Sequence, residues 1–294
     1  MALVHFLGVG KMGLPMACHL ARAGHRLSLS DPSAERLALA AQAGLSRGDA
    51  HSLAQADFIA SSLPHDQALL AVAAEVAAQA RPGAIYLDTS TVSLAASAQA
   101  AALCAARGIA MLRVTVSGNN KMAEAAQLTV MASGDRAAYE RAEPLLAYWG
   151  PQRFYLGEGE QARLMKLVVN LLIAQTSAML AEGLTLGRKG GLQWQDMWQV
   201  LCASAVGSPI LKAKSVQLSE RDFTPTFTVE QMIKDLDLIV GAARDVHAPL
   251  PQTAATLQLM HAAVAQGEAL DDYAAIIKAV ERGAGLSTEL ERKS

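Results

Sequence analysis

Cysteine is scarce in this chain: Cys18, Cys104 and Cys202 are odd in number, widely separated and without paired metal-ligand spacing. That pattern excludes a disulfide framework, predicts no metal centre and fits reduced thiols in a cytoplasmic protein. Charge of a single sign is also lacking, since 25 basic residues stand against 27 acidic ones for a net charge of −2, and no run of lysine or arginine forms a stripe that would suit a phosphate backbone. Nucleic acid is therefore not an expected partner. No basic leader precedes the first apolar run, so neither secretion nor import is expected. A long uninterrupted hydrophobic run is missing too: the longest apolar segment, Leu167 to Leu186, is broken by Asn170, Gln175 and Glu182. It predicts a buried helix and no membrane span. There is no internal repeat and no low-complexity linker, only a charged tail after Thr288 that is expected to fray.

What is present begins at the N-terminus. An apolar run, Leu3-Val4-His5-Phe6-Leu7, leads directly into Gly8-Val9-Gly10-Lys11-Met12-Gly13, and a helix-like stretch from Pro15 to Ala23 follows. In that order Gly8 permits a tight turn, Gly10 lets a pyrophosphate approach the backbone and Gly13 lets the helix pack on the strand, while the helix N-terminus offers unpaired N–H groups to phosphate. A second strand, Arg26 to Ser30, ends in Asp31, close to the spacing of about 20 residues at which an acid meets an adenosine ribose. The alternative is a glycine turn with no ligand, but the strand, turn, helix and acid together favour a dinucleotide cradle.

Through about residue 155, short apolar runs alternate with helical stretches: Leu3–Leu7, Arg26–Ser30, Phe58–Leu63, Ile85–Asp88, Ala110–Val114 and Leu128–Ser133 read as strands. Such alternation predicts a mostly parallel, doubly wound sheet. Ser33–Ala43 and Ala68–Ala80 read as helices between them. After Gly157 the pattern changes to helix alone. Gln161 to Arg188 has no proline and predicts one helix of roughly 40 Å, long enough to bridge two domains. Gly190-Gly191 ends it, and Trp194–Ala203, Pro209–Gln217, Thr228–Asp245, Pro249–Gln266 and Tyr273–Glu281 follow as further helices. The expected division is 1–158 for a Rossmann-like dinucleotide-binding domain and 159–294 for an all-helical substrate and oligomerisation domain.

In a doubly wound sheet the ligand lies at the carboxyl ends of the strands, so the loops there are the first place to look for chemistry. Leu63-Pro64-His65, Asp88-Thr89-Ser90-Thr91 and Val116-Ser117-Gly118-Asn119-Asn120 follow the third, fourth and fifth strands and offer hydroxyl, amide or backbone donors. Polar loop ends also arise simply from solvation. Lys166 stands near the start of the long apolar helix with Asn170 one turn later on the same face. A lone helical lysine commonly packs its stem and keeps its ammonium in water. Here Asn170 is surrounded by valine and leucine, and a buried amide needs partners, so the pair favours a site. In a cleft, desolvation would supply neutral amine to accept a proton from a substrate hydroxyl. Lys234-Asp235 is a second candidate, with Glu230 and Lys234 as a surface ion pair the equally acceptable reading.

Taken together these residues resemble the β-hydroxyacid dehydrogenase family, which includes 3-hydroxyisobutyrate dehydrogenase and tartronate semialdehyde reductase and is related to the larger 6-phosphogluconate dehydrogenase. The elements carrying the resemblance are Gly8 to Ala17 with Ala23-Gly24-His25, then Leu63-Pro64, Asp88 to Thr91, Val116-Ser117-Gly118, Lys166 with Asn170, and Lys234-Asp235. The resemblance implies a Rossmann-like domain, a long interdomain helix and a helical second domain that forms homodimers or homotetramers. It implies that Gly8, Val9, Gly10, Lys11, Met12 and Gly13 hold the pyrophosphate, Asp31 the adenosine ribose, and Leu63, Pro64 and Thr91 the nicotinamide end of NAD, with NADP as the less favoured cofactor. Ser117, Gly118 and Asn119 would bind a substrate carboxylate, Lys166 would be the general acid/base, Asn170 would orient the substrate, and Lys234 would contact cofactor or substrate. The implied reaction is hydride transfer between a nicotinamide and a small β-hydroxy acid or its semialdehyde.

Departures from the family pattern gather where the substrate belongs. Arg113 and Thr115 replace an aspartate and a proline, Asn119, Met122 and Ala126 replace glycines, Val169 replaces an amide or histidine, and Glu160 and Ala162 interrupt a glycine-rich run. They imply an altered acid substrate. The alternatives are an imine reductase of similar architecture, which Lys166 disfavours, and a dinucleotide-binding sensor or scaffold without turnover.

Overall fold

The computed structural model describes residues 1–289; of the charged tail expected to fray, residues 290–294 lie outside the described residues. The chain divides into two units, Met1–Leu167 and Val168–Ser294.

In the first unit, the uncharged run Leu3–Leu7 forms β1, buried on both faces within an eight-stranded sheet, as a strand covered by helices on either side must be. The other strands are β2 (Arg26–Ser30), β3 (Ser46–Arg47), β4 (Phe58–Ser61), β5 (Ile85–Asp88), β6 (Ala110–Ser117), β7 (Thr129–Ser133) and β8 (Gln152–Tyr155). Their order is β3-β2-β1-β4-β5-β6-β7-β8, with β6 and β7 antiparallel and the other neighbours parallel. The helices are α1 (Gly13–Arg22), α2 (Ala34–Gln42), α3 (Ala50–Gln55), α4 (Asp66–Gln79), α5 (Leu94–Ala105), α6 (Asn120–Glu124) and α7 (Arg136–Leu146). The doubly wound expectation holds. The order reverses between β1 and β4, which makes the carboxyl ends of those two strands the topological switch point. The strands differ from the sequence reading in that β4 ends at Ser61, β6 runs on to Ser117 because its second half pairs with β7, and β3 and β8 were not expected.

The period-two alternation of the strands splits the core. Val4, Phe6, Ala60, Ile85, Leu87, Leu112 and Val114 pack into one layer, and Leu7, Ile59, Tyr86 and Met111 into the other, against α4 and α5. His5 belongs to the second face and is fully buried, its Nδ1 2.8 Å from Ser28 Oγ and its Nε2 3.1 Å from Ser30 Oγ. Burial lowers its pKa to about 4, with Asp49 acting in the opposite sense. The unfolded chain takes up this proton at the ordinary histidine pKa of about 6.5, so over the window from there down to about 4 the unfolded state binds more protons and stability falls. The loss expected is about 3 kcal/mol, to be read from urea midpoints at neutral and acidic pH. His5→Gln should flatten that acid slope; an equal slope in the variant rules His5 out as its cause.

The helix α8 (Gln161–Lys189) carries the chain from the first unit into the second, and Gly191, with φ +83°, follows its end. Then come α9 (Trp194–Ala203), α10 (Pro209–Ser219), α11 (Val229–Asp245), α12 (Pro251–Ala265), a short 3-10 turn at Tyr273–Ala275 and α13 (Ile276–Gly283). The sequence reading expected α8 to be a buried helix, and here the structure corrects it. Ala174, Ser177, Ala178, Ala181 and Leu184 form a buried stripe, whereas Leu172, Met179 and Leu186 are 58%, 64% and 74% exposed. By length and composition α8 is sufficient to cross a bilayer, and 39% of its most apolar window is buried within the protein. Two acids hold much of the second unit together. Asp272 accepts from Lys214 Nζ at 2.5 Å and from Thr226, and Glu281 pairs with Arg188 and Arg221.

Candidate active site

The glycine loop between β1 and α1 requires glycine at two of its three glycine positions. Gly8 has φ +86°, and a Cβ there would lie 2.5 Å from Ser62 O. A Cβ on Gly13 would lie 2.1 Å from Gly8 O, so the first turn of α1 rests directly on the turn it follows. At Gly10 a Cβ would meet nothing within 4 Å: this glycine is not required by the fold and leaves the backbone open to an approaching group. Helix α1 has no side-chain cap at Met12, so its first amides are not consumed by a capping residue. An open glycine beside an uncapped helix N-terminus fits a pyrophosphate. Val9 is buried and Lys11 exposed in the same loop.

Asp31, at the end of β2, is tied into this loop. Its Oδ2 accepts Val9 N and its Oδ1 accepts Ser33 N, both at 2.8 Å. Part of its role is therefore to brace the cradle, and each oxygen keeps a further lone pair for an outside donor.

The loops after β4 and β5 meet each other. Leu63 N donates to Ser90 Oγ at 2.9 Å, Ser90 Oγ donates to Asp88 Oδ1 at 2.6 Å, and Ser61 Oγ donates to the same oxygen at 2.5 Å. Thr89 Oγ1 is used within the scaffold, donating to Ser61 O at 2.7 Å. Pro64 is exposed and Thr91 half-buried. The glycine turn reaches this group as well, since Gly8 sits against Ser62 and Leu63.

Asp88 has a partner that sequence reasoning did not name. Arg163, in the first turn of α8, forms a fully buried ion pair with Asp88 Oδ2, donates through Nη1 to Ser90 O at 2.5 Å and through Nε to Ser97 Oγ at 3.1 Å. Removing one partner of a pair this deep leaves an uncompensated charge at a cost of about 3–5 kcal/mol. The departing residues near it also turn out to be paired. Arg113 bonds Glu160, and Thr115 Oγ1 donates to Ala162 O at 2.9 Å.

Three residues beyond Arg163, Lys166 is half-buried and engaged with neighbouring groups. At the end of β6, Gly118 has φ +139°, and a Cβ on it would come within 2.7 Å of Leu128 Cδ2. Ser117 is half-buried and Asn119 exposed. Asn119 caps α6, its carbonyl accepting Met122 N at 3.0 Å, which leaves the amide N–H2 as its donor. In the second unit Asn170 is buried and donates to Asp235 Oδ2 at 2.5 Å, while Lys234 Nζ stands 2.9 Å from Asp235 Oδ1. Asp235, read from sequence only as the neighbour of Lys234, is thus the partner that the buried amide required. Cys104 is no competing nucleophile: burial, and then Asp88, push its thiol up to about 11.

Comparison with known proteins agrees with this geometry. Residues 3–157 match the NAD binding domain of 6-phosphogluconate dehydrogenase, and residues 160–280 match the domain described as NAD-binding of NADP-dependent 3-hydroxyisobutyrate dehydrogenase. The chain is 31% identical to 2-(hydroxymethyl)glutarate dehydrogenase of Eubacterium barkeri over 290 residues, 97% of this chain and 96% of that one. It is 30% identical to a probable 3-hydroxyisobutyrate dehydrogenase of Mycobacterium bovis over 288 residues, 94% and 97% of the two chains. Among solved structures, the 3-hydroxyisobutyrate dehydrogenase of Mycobacterium tuberculosis with L-serine superposes with a TM-score of 0.86 at 28% identity, covering 94% of this chain and 98% of that one. Sheet order, cradle and matches define a nicotinamide-dinucleotide-binding protein of the Rossmann class. Within that class the chain belongs to the β-hydroxyacid dehydrogenase family.

Proposed function

We propose that the protein oxidises a small β-hydroxy acid, or reduces the corresponding semialdehyde, with NAD as the preferred cofactor and Lys166 as the proton-transfer residue. The observation that carries this reading is the placement of Lys166: it stands three residues after Arg163, which is anchored at the carboxyl ends of β4 and β5 beside the Leu63 and Ser90 loops. A bound nicotinamide supplies the hydride acceptor for the substrate's carbinol carbon. The neutral amine of Lys166 takes the hydroxyl proton, and in reduction the ammonium returns it. Ser117, the Gly118 backbone and the Asn119 amide hold the substrate carboxylate. Asn170, with its N–H2 held by Asp235, presents its carbonyl oxygen to the hydroxyl. The homo-oligomeric state and the cytoplasmic location implied earlier remain part of the proposal, the second supported by three free thiols.

A screen of three- to five-carbon hydroxy acids, sulfonated and hydroxylated ones included, with NAD and NADP in parallel, tests the reading; cofactor binding without turnover of any of them would overturn it. In that screen NAD should exceed NADP in kcat/KM roughly a hundredfold, because a carboxylate at Asp31 repels a 2′-phosphate. Asp31→Asn should narrow the ratio tenfold or more, and an unchanged ratio would place discrimination elsewhere.

A further inference from the structure

The register of the sheet places Ser61, Asp88, Arg113 and Ser133 side by side across β4, β5, β6 and β7. All of them are buried, and all touch the segment that opens α8 or a group bonded to it. Arg163 binds Asp88, which also accepts the Ser61 hydroxyl; Arg113 binds Glu160; Ser133 Oγ donates to Gly159 O at 2.7 Å and accepts Ala162 N at 3.1 Å; two strand positions on, Thr115 donates to Ala162 O. A polar row through the middle of a sheet is costly to bury, and an apolar row would hold a helix with less directional control. Hydrogen bonds and ion pairs fix rotation about the helix axis as well as distance. Lys166 lies three residues after Arg163, on the same side of the helix, so that rotation sets where its amine points.

We propose that the Asp88–Arg163 pair is a positioning device for Lys166, fixing the azimuth of the first turns of α8, from Gln161 to Leu167, in one buried network with the Leu63 and Ser90 loops. The inference rests on Lys166 as the proton-transfer residue. Arg163 is a positioning residue and not a catalytic one, because its guanidinium is committed to Asp88, Ser90 and Ser97. The Arg113–Glu160 and Thr115–Ala162 contacts support the same seat.

The experiment compares wild type, Arg163→Lys, Ser97→Ala and the apolar double variant Asp88→Leu with Arg163→Met, all as full-length chains. Such an apolar replacement of a buried pair is commonly neutral in stability. NADH binding is read by fluorescence titration, turnover with 3-hydroxyisobutyrate, L-serine and 2-(hydroxymethyl)glutarate, and the Lys166 titration by NMR of 13C-dimethylated lysines, assigned with Lys166→Arg. In the folded double variant kcat should fall about a hundredfold, the cost of misplacing a reacting group by roughly an ångström. NADH affinity should fall by a smaller factor than kcat, since the pair also holds Ser90 and through it the Leu63 loop, and the Lys166 resonance should titrate at a different pH. Arg163→Lys should recover part of kcat, and Ser97→Ala, which removes a single bond and is the least disruptive change, should lose severalfold. Folded variants with wild-type kcat and an unmoved Lys166 titration would overturn the positioning role. If Lys166→Arg itself keeps full turnover, the reading of Lys166 fails first. The NMR comparison separates these failures even where none of the three acids turns over: an unmoved Lys166 titration in folded variants still overturns the positioning role.

Discussion

Lys166→Ala should lower kcat for hydroxy-acid oxidation by about 10²- to 10⁴-fold while leaving NADH affinity within a factor of two or so. That range equals about 3–5 kcal/mol of barrier, the ordinary contribution of one positioned acid/base group. The expectation of intact cofactor binding follows from the proposed cradle, Gly8 to Gly13 braced by Asp31, which makes no use of Lys166. Steady-state kinetics with a fluorescence titration of NADH separate the two effects. Small primary amines added to the alanine variant should restore part of the rate, and the restoration should rise with pH as more free amine forms. A variant that keeps more than a tenth of wild-type kcat would show that the proton travels by another group.

The second large effect separates a cofactor requirement from a folding requirement within a single loop. Gly10→Val should raise the NADH dissociation constant at least about a hundredfold with the melting temperature nearly unchanged, because a Cβ at this position meets no protein atom within 4 Å. Gly8→Ala should do the reverse in emphasis. Its Cβ would press on Ser62 O at 2.5 Å from a backbone at φ +86°, so destabilisation of the order of 1–3 kcal/mol should come first and weaker binding should follow from it. Calorimetry and NADH titration on both variants check the contrast. If Gly10→Val binds NADH as wild type does, the loop is not the pyrophosphate cradle.

Much of the architecture was legible because its signals are local. The strands that are buried on both faces read as short apolar runs, and the helices between them as alanine- and leucine-rich stretches ended by glycine. The elements that escaped carry no such signal. β3 is two exposed residues, Ser46 and Arg47, and β8, Gln152–Tyr155, is a half-exposed polar edge strand; both exist because a neighbour offers backbone partners. Helix α3 was readable in principle, since Asp49 and Ser52 form a reciprocal capping box. Helix α6 is five residues held by the Asn119 cap, which explains a residue singled out from sequence only as a substrate contact.

The amino-acid sequence by itself determined the strand, glycine turn and helix at the N-terminus, the doubly wound first unit, the helical second unit and the spacing of Lys166 from Asn170, because glycine conformation and helical or strand periodicity act over a few residues. Only the tertiary structure decided which buried polar groups satisfy one another. Arg163 and Asp88 are 75 residues apart, Asn170 and Asp235 are 65 apart, and Arg113 and Glu160 are 47 apart. A buried charge announces that it needs a partner, but the partner's identity is fixed by strand order and register, which no short stretch of chain contains.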